Sequence, residues 1–277
     1  LHTLEDLEQR GHIKLSIVPI DEDGNVIISE LENLLSSHDN SFVSLMHANN
    51  EVGNILPINE VGALCKKYNA IFHSDTVQSV GHYEHNLEQE HVDFITCAAH
   101  KFHGPKGVGA LYINSRIKVR PFITGGPQER NMRGGTENVY GIVGLAKALE
   151  IAHRDMETDR TKIESVKNYM AEQIKEHLPE ATFNGGCMND GLYTVLNVCL
   201  PSNSMAEMMI YNLDIAGVGV SGGSACSSGS NTGSHVLNAL KVDSSRPSIR
   251  FSFSKFNTKE EVDYAVSKLK EMYTVNA

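Results

Sequence analysis

The chain has 277 residues, a net charge of −10 and 40% hydrophobic residues, a globular balance long enough for one large domain or two ordinary ones. The acidic balance disfavours nucleic acid or an anionic membrane as the main partner, and no apolar run approaches the roughly 20 residues that cross a bilayer. The five cysteines (65, 97, 187, 199 and 226) are an odd number without CxxC pairing, which argues against a disulfide framework or structural zinc and fits a reducing cytoplasm.

Taken in order, residues 1–12 read as the second half of a helix with Leu4 and Leu7 on one face and Gly11 as its stop. With Leu1 in place of Met, this is the pattern expected of a piece of a longer protein. Residues 13–20 read as a strand and 21–25 as a turn. Ser29 and Glu32 form a capping-box pattern ahead of Leu31, Leu34 and Leu35. A strand over 42–46 leads into His47–Gly53, Pro57 opens a helix to Lys67, and 70–74 is a strand ending at Asp75. Residues 94–99 suit a strand buried on both faces, halted at His100-Lys101 before the Gly104-Pro105-Lys106-Gly107 loop.

This rhythm predicts βαβ units and a mostly parallel sheet, with Asn49/Asn50, Asp75 and His100/Lys101 at the carboxyl ends of strands along one edge. An amine in such a crevice is expected to be partly desolvated, with a lowered pKa that makes it a nucleophile toward carbonyl carbon. Residues 109–114 read as a further strand. The glycine- and arginine-rich loop 125–138 suits an anion. A helical stretch follows over 138–177 with a break expected near 154–159, placing a domain boundary near 157. Beyond it come a strand at 193–200, a helix at 204–213, a short strand at 217–221, a small-residue loop at 221–230 and a strand at 248–254. A last helix is capped by Thr258 and Glu261.

A lysine that forms an imine, paired with a carboxylate that holds a proton on a pyridine nitrogen, is what pyridoxal phosphate needs to act as an electron sink. Six segments in order carry a resemblance: HANNEVG (47–53), HSDTVQ (73–78), AAHKFHGPKGVGALY (98–112), GGPQERNMRGGTEN (125–138), SGGSACSSGS (221–230) and SIRFSF (248–253). Together they resemble the cysteine desulfurases of the class-V aminotransferase group, in the subgroup with an extended cysteine loop. The resemblance implies an α/β enzyme of pyridoxal-phosphate fold type I. Residues 1–157 would form a cofactor-binding large domain and 158–277 a smaller α+β domain carrying the cysteine loop. It further implies conversion of L-cysteine to L-alanine, with the sulfur held as an enzyme persulfide for iron–sulfur cluster assembly or thiolation.

Residue by residue, the resemblance makes Lys101 the cofactor-binding lysine and proton shuttle. Asp75 would pair with the ring nitrogen, Gln78 with the ring hydroxyl, and Val77 would pack under the ring. Asn50 would lie near that hydroxyl and the substrate carboxylate, which Arg250 grips. His100 would contact the phosphate, and Thr136 would reach the phosphate of a neighbouring subunit in a homodimer with shared sites. Ala98 stands where the family usually has a hydroxyl, so one phosphate hydrogen bond is expected to be missing. The family's upstream phosphate loop and ring-stacking histidine have no counterpart in this sequence.

Cys226, set among Gly and Ser, is expected to be the persulfide-forming nucleophile, whereas Cys65, Cys97 and Cys199 read as small buried hydrophobes. The expected partners are L-cysteine and a sulfur-acceptor or iron–sulfur scaffold protein, in the cytoplasm, without membrane or direct nucleic-acid contact. A selenocysteine lyase would show similar motifs, and a non-catalytic interaction module is a third reading.

Overall fold

In the computed structural model, which describes residues 1–205, 208–222 and 234–274, one sheet contains β1 (Phe42–Ser44), β2 (Ile71–Asp75), β3 (Phe94–Ala98) and β4 (Gly109–Ile113) in that order. The first three are parallel, with Phe42 opposite Ile71 and His73 opposite Phe94, while β4 runs antiparallel so that Gly109 faces Ala98. After α1 (His2–Gln9), helices α2 (Ile28–Ser37) and α3 (Ile58–Lys67) bury Leu31, Leu35, Val61 and Cys65 against Val43 and Phe72 of this sheet. Their apolar residues recur at helical spacing, and each fully buried aliphatic side chain contributes about 1.5–3 kcal/mol.

A second sheet is antiparallel, in the order β5 (Thr182–Phe183), β6 (Val195–Cys199), β7 (Ser248–Ser252). All five residues of β6 are buried, because α5 (Val139–His177) and α8 (Lys259–Thr274) supply Met170, Ile174, Val266 and Leu269 to the same core. At α8 the Thr258 and Glu261 box forms as expected, with Thr258 N donating to Glu261 Oε2 at 3.1 Å and Glu261 N to Thr258 Oγ1 at 3.3 Å. The turn at 21–25 also forms, around Asp21 Oδ1, which accepts from Asp23 N and Asn25 N.

Several local expectations fail. Residues 13–20 make no strand beyond an isolated bridge between Ile20 and Val26. The helix after them begins at Ile28, so Ser29 sits inside its first turn and caps nothing. Glu32 instead accepts from Lys67 Nζ at 2.6 Å and Tyr68 Oη at 3.1 Å. Helix α5 runs without a break through 154–159, since residues 145–177 contain no Gly or Pro and polarity alone does not stop a helix. The β3 positions are half-buried throughout, and β4 is exposed at its first four residues. The expected helix at 204–213 is α6 (Met209–Ile215), of 217–221 only Ser221 is bridged, to Arg250, and a short α7 (His235–Ala239) precedes β7.

Candidate active site

Because β1, β2 and β3 are parallel neighbours, their carboxyl ends share one edge of the sheet. After β1 the chain turns on Asn49, whose Oδ1 accepts from Glu51 N at 2.8 Å and Val52 N at 3.0 Å, an Asx turn that places Asn50 at its tip. Asp75 ends β2. Its carbonyl accepts from His47 N at 2.9 Å and its Oδ1 from Val77 N at 3.0 Å, fixing the carboxylate beside the turn that carries half-buried Val77 and Gln78. Thr76 Oγ1 donates to Thr96 O at 2.7 Å, tying this turn to β3.

Beyond Ala98 the chain makes a 3-10 turn over Ala99–Phe102 that closes on His103 at φ 65. Residues three apart lie on the same side of such a turn, so buried Ala99 and Phe102 face the core and His100 and Lys101 face outward. Lys101 is therefore exposed, a correction to the expectation of a desolvated amine. The loop after it is gripped by α5, where a Cβ on Gly144 would sit 2.5 Å from Pro105 Cγ. Asn138 caps that helix by accepting from Gly141 N at 3.2 Å, with Thr136 exposed just ahead of it. Most of the loop 125–138 is exposed, and Gln128–Asn131 forms a single turn, α4.

Arg250 comes to this edge from β7, paired with Asn197 on one side and Ser221 on the other. Its Nη1 donates to Asn50 O at 2.6 Å, while its buried Nε has no acceptor among the described residues. Burial lowers the guanidinium pKa, and the Glu51 carboxylate opposes that shift. Glu51, only 1% exposed, accepts from the Ser234 hydroxyl, and its carbonyl accepts from Asn197 Nδ2 at 2.9 Å. Cys226 lies outside the described residues; of the described residues on either side of it in sequence, Ser221 bridges Arg250 and Ser234 donates to Glu51.

The motifs said nothing of a buried group behind this edge. His85 Nδ1 contacts the Glu90 carboxylate at 3.0 Å, its Nε2 lies 3.2 Å from Ser79 Oγ, and its ring meets that of His47 at 5.0 Å. Burial, with a smaller push from His85, lowers the His47 pKa to about 4 and keeps the ring neutral. Only the recurrence of His at 47, 82 and 85 near the motifs could have signalled it.

The donor set fits pyridoxal phosphate. An exposed amine and a backbone-fixed carboxylate follow adjacent strands, and the half-buried Arg250 guanidinium, bonded to Asn50 after the next strand, has a buried Nε–H without an acceptor among the described residues.

Residues 1–265 match the family model for class-V aminotransferases. Over 275 residues the chain is 40% identical to the cysteine desulfurase IscS of Dictyoglomus turgidum, covering 96% of this chain and 67% of that protein. Over 275 residues it is 38% identical to the putative cysteine desulfurase IscS 1 of Bacillus subtilis, covering 98% of this chain and 72% of that one. Among solved structures, a NifS-like protein superposes with a TM-score of 0.88 at 37% identity, covering 99% of this chain and 72% of the other. A NifS-like protein from Rickettsia africae superposes at 0.87 with 28% identity, covering 99% and 73%. A match over nearly the whole chain, with this likeness in three dimensions, establishes that the chain belongs to the class-V aminotransferase family.

Proposed function

We propose that this chain acts as a pyridoxal-phosphate-dependent cysteine desulfurase, releasing L-alanine from L-cysteine and leaving the sulfur on Cys226. What supports this reading is that Asp75 ends β2 and Lys101 follows the neighbouring β3, with Arg250 bonded to Asn50 after β1, in a chain whose relatives are named for that activity. When bound, the cofactor supplies an electron sink next to the substrate's α-carbon. Lys101 would hold it covalently, with Asp75 at its ring nitrogen, Gln78 at its hydroxyl, Val77 beneath the ring, and Ala98 and His100 beside its phosphate, while Thr136 would reach the phosphate held by a neighbouring subunit.

The chain's own residues do the rest. Arg250 and Asn50 bind and orient the substrate carboxylate, a fork-to-carboxylate pairing that fixes direction as well as charge. Lys101 Nζ takes up and returns a proton at the α-carbon. Cys226 Sγ attacks the substrate sulfur, so the carbon–sulfur bond breaks as a sulfur–sulfur bond forms and a proton replaces sulfur on Cβ. L-cysteine and a thiol become L-alanine and a persulfide, and no outside oxidant is needed.

The other cysteines are poor candidates for this step. Cys65, Cys187 and Cys199 are buried and Cys97 half-buried. Burial pushes the Cys65 thiol up to about 12 and those of Cys97 and Cys187 upward.

The reading extends to a division of the chain near residue 157. In support, the core of the three-stranded sheet draws its buried residues from 163 onward and that of the four-stranded sheet from before 93. It also extends to a homodimer with shared sites, supported by the exposed apolar side chains Phe122, Tyr140 and Val143, and to a protein sulfur acceptor in the cytoplasm. No described helix is long and apolar enough to cross a membrane.

The test is incubation of the cofactor-loaded protein with L-cysteine, measuring L-alanine and mapping sulfane sulfur by alkylation. Equal amounts of alanine and of sulfur on Cys226 are expected in a single turnover. Pyruvate or a keto acid in place of alanine would overturn the reading.

A further inference from the structure

Lys101 stands on the outer side of its 3-10 turn, and the main chain of that turn is held from behind by His82. His82 Nε2 lies 3.3 Å from Lys101 O, and its Nδ1 lies 2.9 Å from Tyr193 Oη. A carbonyl oxygen only accepts, so Nε2 carries the hydrogen. In the neutral ring Nδ1 is then the acceptor, and the Tyr193 hydroxyl donates to it at 2.9 Å in preference to the His82 carbonyl, which lies farther off at 3.4 Å. The hydrogen bonds therefore run in one direction, from Tyr193 through the imidazole to the lysine's carbonyl.

Both ends of this bridge are built in. Tyr193 is 1% exposed and packs in the core of the three-stranded sheet. Gly81, just before His82, has φ 84, and a Cβ there would lie 2.7 Å from Phe102 Cβ, so the His82 turn abuts the Lys101 turn directly. Around the ring is a cavity of about 220 Å³. The charged and titratable groups facing it are Asp159, paired with Lys255 at 2.8 Å, and His103, with Arg160 over the Tyr193 ring at 5.8 Å and Tyr83 beside it. Burial, aided by His103, lowers the His82 pKa. The bond to Lys101 O and the charge of Asp159 act against that shift.

We propose that His82 is a positioning residue for Lys101, carrying the position of Tyr193 in the three-stranded unit to the backbone of the turn that presents the amine. The inference rests on the reading of Lys101 as the cofactor lysine. It goes beyond that reading by naming what sets the amine's place and by linking it to the second sheet.

The experiment is borohydride trapping of pyridoxal phosphate on the full chain, with peptide mapping of Lys101 and of exposed Lys106 as an internal control. His82→Ala and Tyr193→Phe should each slow trapping on Lys101 about threefold to tenfold, the span given by one lost hydrogen bond, with Lys106 unchanged. The double variant should be no slower than the worse single one. His82→Gln, whose amide can accept from Tyr193 and donate to Lys101 O, should restore most of the rate. If His82→Ala does not fold, Tyr193→Phe, which keeps the ring, carries the test. Unchanged Lys101 trapping in Tyr193→Phe, or additive losses in the double variant, would overturn the positioning role. Label absent from Lys101 in the unsubstituted protein would overturn the cofactor reading itself, a result distinct from either.

Discussion

Arg250 and Asn50, 200 residues apart in sequence, meet where the Arg250 guanidinium donates to the Asn50 carbonyl at 2.6 Å. One lies on β7 of the antiparallel sheet, the other on the turn after β1 of the four-stranded one, so this hydrogen bond, with that from Asn197 to the Glu51 carbonyl, joins the two halves of the proposed substrate site. The buried Nε beside it has no acceptor among the described residues, leaving a donor for a carboxylate.

Arg250→Lys keeps the charge but loses the planar fork. The expected result is a rise in KM for L-cysteine of about tenfold to a hundredfold, the range for hydrogen bonds to a charged group, with pyridoxal phosphate still bound. Steady-state kinetics check this, and an unchanged KM would remove Arg250 from the substrate site.

Lys101→Ala should abolish covalent attachment of the cofactor and turnover together, because the same amine is proposed to hold the cofactor and move the proton. Reduction with borohydride followed by peptide mapping is the measurement. A pyridoxyl group on Lys106 and none on Lys101 in the parent protein would sink the assignment.

Cys226→Ser should leave cofactor and cysteine binding intact while protein-bound persulfide disappears, since a serine hydroxyl is a poor nucleophile toward sulfur. Mass spectrometry after a cysteine pulse reads this directly. Sulfane sulfur spread equally over Cys187 and Cys199 would refute the role.

Gly62→Ala tests the α3 packing on which the sheet edge rests. A Cβ there would lie 1.8 Å from Glu90 O, and Glu90 is buried and cannot withdraw. A loss of about 3 kcal/mol or more is expected in urea unfolding. Gly219→Ala, with nothing within 4 Å, should stay within about 0.5 kcal/mol of the parent.

His47 predicts an acid limb in stability. Its pKa falls from 6.5 to about 4 on folding, so the unfolded chain binds the proton first as pH drops. The contribution is complete above 6.5 and is lost between 6.5 and about 4, amounting to no more than about 3 kcal/mol. His47→Gln should flatten this part of a plot of urea midpoint against pH. An acid limb identical to the parent's would show that other groups cause it.

The sequence by itself determined the parallel β1–β3 edge and the residues standing on it, because strand ends, turn formers and the identities of Asn50, Asp75 and Lys101 are local properties of the chain. It determined the α8 cap for the same reason. Local pattern misled where it could be outweighed: residues 13–20 look strand-like but find no partner strand, Ser29 falls two residues past the N-cap position, and nothing in 154–159 is able to stop a helix. Only the tertiary structure decided that β4 runs antiparallel, that Arg250 reaches Asn50, that Ser234 meets buried Glu51, and that His82 stands between Tyr193 and Lys101. These contacts join residues whose separation along the chain carries no signal. Each partner is a common polar residue, and its role arises when packing removes water and leaves one group within reach.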